Sequence, residues 1–446
     1  MTLSSSYICL VNCSVFNGSL DSDFESDTTV IIQDGIIHEI GASVPAGAQV
    51  IDMNGKYLMP GLINAHCHLF SNGKPSTVGR SESLLNMYVS AIGCWPGRTL
   101  FKRKISRNIY NALHAGITTL RCLGDPHFYD VKIRDSLKYS PGLAPRIIAA
   151  GMGICITGGH ANSISLKADS PWECRKAVRQ NVREGVDQIK ILSTGGASDS
   201  RRVGEAGRLQ MTPKEIFAAC DEAHRAQLLV ASHCLSSDGV LESLRGGADT
   251  IEHGATLNDE MVALFKQNPN SLRGWSALIP TLSPVFHLCG VNRETAMISQ
   301  AMADNVALIR EGMVSATKVA LNTGIRIGIG SDAAMPMVTH YDFWRELLYL
   351  CSCTGISAKH AIHLATTGNA EILGISHQTG RIAAGLSADL IGFDNNPFEN
   401  INILANPRFV MMQGHQLHKP RVNRFERVET CLNQINVNGE WNKPGL

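Results

Sequence analysis

The chain has 446 residues, of which 44% are hydrophobic and 18% charged, and its 40 Lys plus Arg against 39 Asp plus Glu leave a formal charge of +1. That composition excludes a disordered chain, a collagen and a coiled coil, and the balanced charge without a basic stripe argues against a nucleic-acid partner. No apolar run approaches the roughly 18–20 residues that cross a bilayer, and residues 1–6 lack the charged start of a secretory signal, so neither a membrane nor a secreted location is expected.

Residues 7–16, 29–33, 36–40 and 49–53 read as short strands, separated by the turn dipeptides Asn17-Gly18, Asp34-Gly35 and Asn54-Gly55. After Pro60-Gly61 short apolar runs alternate with longer amphipathic stretches. We read strands at 61–65, 118–122, 146–150, 188–192, 229–233, 250–253, 277–281 and 326–330. Two of the helices between them are expected at 212–226, opened by Thr212, Pro213 and Glu215, and at 293–323. Strands return at 389–393 and 409–412, and the polar last dozen residues read as loose. The expectation is an α/β chain: a (β/α)8 TIM-like barrel over 61–369, with a small β-sandwich domain built from 1–60 and 370–446. An open doubly wound sheet is the weaker alternative, because no phosphate-binding glycine fingerprint follows the first strand.

Metal-ligating residue types fall at the strand ends. His66 and His68 form a His-x-His at the end of the first barrel strand, and residues two apart on an extended segment point the same way. Lys190 lies toward the end of the fourth strand, His233 ends the fifth and His253 the sixth, while Asp332 follows the eighth. All parallel-barrel strands open their C-terminal ends on one face, so these six residues converge on one mouth. Four histidines and an aspartate suit a borderline-soft divalent ion such as zinc, cobalt, manganese and nickel being compatible. An ammonium would repel a cation. A carbamylated Lys190 would instead be an anionic oxygen donor able to bridge two metals.

The segments GLINAHCHLF, IKILSTGG, VASHC, TIEHGATL and GIGSDAAMP, in this order, strongly resemble the amidohydrolase superfamily. The likeness is to its prolidase-like and carboxypeptidase-like branch, which includes Xaa-Pro dipeptidases and ochratoxinase. The resemblance implies a distorted barrel with two divalent metal ions, zinc first among the candidates. His66, His68 and Asp332 would hold the more buried ion and His233 and His253 the more exposed one, with a carbamate on Lys190 bridging both. It also implies a hydroxide bridging the metals as nucleophile, Asp332 as proton shuttle, and His160, in TGGHA, as donor to the substrate carbonyl.

Arg201 and Arg202 sit in the Gly-rich loop 195–210, which reads as a lid, and are candidates to clamp a substrate carboxylate. The branch's carboxylate binders often carry a tyrosine or histidine two residues after the fifth-strand ligand; here that position is Leu235. The leading expectation is therefore an enzyme hydrolysing an amide bond of a small molecule, a dipeptide or N-acyl amino acid. The alternative is a urea, carbamate, lactam or imide, including a xenobiotic, and a non-catalytic barrel is less favoured. Thirteen cysteines, scattered and without a CxxC pair, read as reduced thiols of a cytoplasmic protein. A homo-oligomer is expected. His114, His224, His287, His340, His360 and His363 are expected to serve packing or solvent roles.

Overall fold

The computed structural model describes residues 7–78, 81–139 and 142–435. The reading of residues 1–6 and that of the last dozen residues, apart from Ile435, lie outside these.

Eight barrel strands follow in order: Leu62–Cys67, Ile117–Cys122, Arg146–Ala149, Gln188–Leu192, Leu229–Cys234, Thr250–His253, Ala277–Ile279 and Arg326–Ile327. Every ladder among them is parallel. The first three form one arc; the last five form another, extended by the short strands Ile154–Cys155 and Leu166–Lys167. Backbone bonds close the gaps, among them Ala65 N to Ile329 O at 2.9 Å and Asp332 N to His66 O at 2.8 Å on one side and Asp187 N to Ala149 O at 2.8 Å on the other. These strands are almost wholly buried, as strands covered on both faces must be.

The helices outside the barrel start where the sequence supplies caps. Pro213–Arg225 opens with a capping box in which the Thr212 side chain accepts from Glu215 N while the Glu215 carboxylate accepts from Thr212 N, a motif worth about 1 kcal/mol. The single helix expected over 293–323 is two, Arg293–Ala296 and Gln300–Thr323. Met297 takes a positive φ of 57°, which ends the first, and the Ser299 side chain caps the second by accepting from Met302 N.

Strands near both ends of the chain share one mixed sheet. Its order is His415–Gln416, Phe409–Met412, Leu390–Phe393, Tyr57–Pro60, Ile8–Val15, Glu25–Gln33 and Ile36–Ile40, with Gln49–Asp52 also paired to Ile8–Val15. The strand Tyr57–Pro60, hidden between two turn signals in the sequence, runs antiparallel to Leu390–Phe393 and joins the N-terminal strands to the C-terminal ones. Asp34 and Gly35 both have positive φ, 51° and 80°, as a tight hairpin turn requires. Leu10, Val30, Ile32, Leu58, Leu390 and Met411 form the core of this unit. The helix Glu426–Leu432 does not join that sheet. Its Val428 and Leu432 pack with Leu235, Val285 and Met302 beside the barrel mouth.

Candidate metal centre

The first barrel strand carries His66 and ends at Cys67, with His68 one residue beyond. Their rings lie 5.5 Å apart, and His66 is 5.1 Å from His253, which is 4.5 Å from His233. His160 continues the row, 4.4 Å from His233. Asp332 Oδ1 stands 3.5 Å from His66 Nε2 and 3.2 Å from His68 Nε2. His66, His68 and Asp332 thus form a candidate metal site, their ligand atoms all within 4.8 Å of one another.

Hydrogen bonds on the far side of each ring decide which nitrogen faces inward. The Glu252 carboxylate accepts from His66 Nδ1 at 2.6 Å, and the Gly124 carbonyl accepts from His68 Nδ1 at 2.9 Å. The Gly195 carbonyl accepts from His233 Nε2 at 3.2 Å. A carboxylate or carbonyl can only accept, so these bonds fix the protons and leave bare lone pairs on His66 Nε2, His68 Nε2 and His233 Nδ1. His253 Nδ1 is tied to Thr281 Oγ1 at 2.6 Å, which reserves its Nε2. Lys190 Nζ and Asp332 Oδ1 are buried and have no hydrogen-bond partner. Lone pairs aimed at one another, beside an orphaned carboxylate oxygen, repel unless a cation lies among them. The donor set of nitrogen and carboxylate oxygen fits a borderline-soft divalent ion.

Burial sets the protonation of the site. It drives His66 and His233 well below the usual imidazole value and His253 down to about 4, so the rings are neutral donors at pH 7. Burial pushes Lys190 down to about 8, despite the nearby Glu252 and Asp332, leaving a fraction of reactive neutral amine at pH 7.

The backbone is strained where the ligands turn. His253, Thr281, Asp332 and Ala334 all have positive φ, 71°, 47°, 53° and 95°, costing of order 1–3 kcal/mol each. Glycines supply the close approaches. A Cβ on Gly330 would overlap the His66 backbone and Cβ, and one on Gly196 would overlap the His160 ring.

The structure brings His66, His68, Lys190, His233, His253, Asp332, His160 and Leu235 to the lining of one cavity. Arg201 and Arg202 are not brought there. Arg201 pairs with Glu82 at 2.7 Å and is 77% exposed; Arg202 is exposed, and its carbonyl accepts from Asn305 Nδ2. Sequence reasoning assigns no role to Glu252, Thr281 or Asp199. Asp199 Oδ1 accepts from His160 Nδ1 at 2.8 Å and its Oδ2 from Ala161 N at 2.8 Å. The one signal available for these was Glu252 itself, a carboxylate inside the fully buried strand Thr250–His253.

Of the histidines given packing or solvent roles, His287 is buried with Nδ1 bonded to the Met337 carbonyl, and His340 Nε2 bonds the His68 carbonyl. His224 Nε2 meets Asp249, and His363 Nδ1 meets the Gly18 carbonyl. The His114 ring stacks on Tyr110 and accepts from Arg421 N, while His360 lies beside His363.

Residues 57–417 match the model of the Amidohydrolase family. A candidate prolidase from Bifidobacterium longum is 35% identical with a TM-score of 0.84, the alignment covering 97% of this chain and 99% of that one. A Xaa-Pro dipeptidase with methionine bound in its active site is 25% identical with a TM-score of 0.77, covering 93% and 100%. Ochratoxinase from Aspergillus niger is 24% identical over 392 residues, 81% of this chain and 75% of its own. Together with the His66, His68 and Asp332 cluster, this makes the protein a metal-dependent hydrolase of carbon–nitrogen bonds. The chain belongs to the amidohydrolase family, in its branch of prolidase-, dipeptidase- and ochratoxinase-like enzymes.

Proposed function

We propose that the protein hydrolyses amide-type C–N bonds at a centre of two divalent cations, zinc in the first instance. His66, His68 and Asp332 would hold one ion, His233 and His253 the other, and a carbamate on Lys190 would join both. The observation that carries this reading is the cluster of His66, His68 and Asp332 ligand atoms within 4.8 Å of one another, lining one cavity with His233, His253 and the unpartnered Lys190 Nζ. When bound, such a pair of cations supplies hydroxide at neutral pH and polarises the scissile carbonyl. The chain's own residues do the rest. Asp332 Oδ1 takes the proton of the attacking water and returns it to the departing amine. As the imidazolium paired with Asp199, His160 would donate from both nitrogens, Nδ1 to that carboxylate and Nε2 to the carbonyl oxygen as negative charge develops there, a contribution of roughly 3 kcal/mol. The lining of the cavity is mostly apolar.

The printed names of the relatives bring a dipeptide or N-acyl amino acid to this chain as the first substrate reading. A second reading, an uncharged amide, urea, carbamate, lactam or imide, has a specific observation in its favour: Leu235 stands on the cavity wall and Arg201 points away to Glu82. All thirteen cysteines are free, which supports the cytoplasmic reading, and no helix among the described residues is long and apolar enough to cross a membrane. The exposure of Trp95, Met87 and Leu100 supports a homo-oligomer.

The test is product release by mass spectrometry from a panel of dipeptides, N-acyl amino acids, neutral amides, ureas, carbamates and lactams. Metal-loaded protein should release the acid and amine fragments of a cleaved C–N bond, or from a lactam the single ring-opened amino acid. Asp332→Asn and chelator-treated protein should release none, and undiminished turnover in either would refute the reading.

A further inference from the structure

Two helices contribute apolar side chains to the wall of the cavity. Gln300–Thr323 presents Met302, Val306, Ile309 and Met313 to it. Their spacings of four, three and four residues place them on one face of the helix. Leu282–Gly290 adds Val285 and Leu288. Among the described residues that line the cavity the only cation is Lys190, which is 2% exposed. The remaining polar groups away from the candidate ligands are uncharged hydroxyls, such as those of Ser165 and Ser198, and His160. Within the loop 195–210, Ala197 and Ser198 line the cavity, whereas the stretch with Arg201 and Arg202 is tied elsewhere. Asn305 Oδ1 accepts from Gly204 N and Ala206 N, and the Arg201 guanidinium is engaged by Glu82.

We propose that this chamber selects substrates that carry a bulky, uncharged hydrocarbon group, branched alkyl or aryl, on one side of the scissile carbonyl and no free carboxylate there. A carboxylate placed against Val306 and Ile309 would lose its hydration and find no cation. A hydrocarbon would bury its surface, and the flexible side chains of Met302 and Met313 would fit groups of varied outline. The inference rests on the proposed hydrolase function. In that reaction water adds across the bond: the C–N bond breaks, a C–O bond forms, and the proton from water ends on the amine.

The test separates binding from turnover. Two sulfonamides that the centre does not cleave, N-isopentyl phenylmethanesulfonamide and N-(phenylmethanesulfonyl)leucine, differ only in the carboxylate. Calorimetry on zinc-loaded protein should show the neutral compound binding at least tenfold more tightly. Ile309→Arg, at a partly exposed wall position, should narrow that preference at least fivefold, and the wild-type comparison stands by itself should the variant not fold. Equal or tighter binding of the carboxylate compound, or binding of neither, would overturn the inference. Preferential binding of the neutral compound, with no hydrolysis of any matching carboxamide, would refute the hydrolase reading and leave the chamber's preference intact.

Discussion

The Glu252 carboxylate accepts a hydrogen bond from His66 Nδ1 at 2.6 Å, in a position where both side chains are almost fully buried. Behind Glu252 lies Arg121, also fully buried, whose guanidinium reaches Glu252 Oε1 at 3.1 Å, Gln188 Oε1 at 2.7 Å and Thr250 Oγ1 at 2.7 Å. The charge on Glu252 is therefore balanced from below, and its second oxygen makes His66 Nε2 more basic toward the mouth.

Replacing Glu252 by Gln removes that charge while keeping the shape. Metal affinity measured by competition with a chromophoric chelator should fall about 10–100-fold. Arg121 would be left as an uncompensated buried charge, so denaturant stability should fall by about 3 kcal/mol. Unchanged affinity would show that His66 orientation does not depend on Glu252.

Asp199 reaches His160 from the loop after the fourth barrel strand and fixes the proton on Nδ1 or shares it. Asp199→Ala should lower kcat roughly a hundredfold, the scale of losing one oxyanion donor, with KM little changed. The double variant with His160→Ala should be no slower than His160→Ala alone, because the two act as one unit. Additive losses would place Asp199 in a separate, structural role.

The buried imidazoles make the metal-free chain acid-labile. Burial pushes His340 down to about 4 and His287 down to about 3, against about 6.5 in an unfolded chain. The native state binds fewer protons than the unfolded state between those values, so stability is full above pH 6.5 and falls as the pH drops toward 4 and below. From pH 7 to pH 5 each histidine should cost about 2 kcal/mol. Denaturant midpoints of chelator-treated protein should show the decline, and His287→Gln should make it shallower. A flat profile would mean that these rings are charged in the fold.

The barrel and the candidate ligands at its mouth could be read in the sequence because they obey local rules. Apolar runs mark the strands, and parallel strands necessarily bring their ends, and so His66, His233, His253 and Asp332, to one mouth. The strand Tyr57–Pro60 obeys no such rule, since its only strong cue is a proline and its partner lies more than three hundred residues away. The orienting contacts were hidden for the same reason: Glu252 and His66 are 186 residues apart, Asp199 and His160 are 39. The split at Met297 is the opposite case. Asn292 and Ser299 are ordinary cap residues, outweighed in the sequence by the apolar periodicity on either side. The arginines misled because charge in a loop says nothing of direction, and Glu82, which engages Arg201, lies 119 residues earlier.

A centre of two metals joined through Lys190 would hold two ions per chain, which makes metal content the direct measurement of it. Inductively coupled plasma mass spectrometry on protein loaded with zinc and bicarbonate should find two equivalents in the wild type. In Lys190→Ala it should find one or none, with activity lost and partly restored by short carboxylic acids that occupy the carbamate's place. Two equivalents and full activity in Lys190→Ala would contradict the claim.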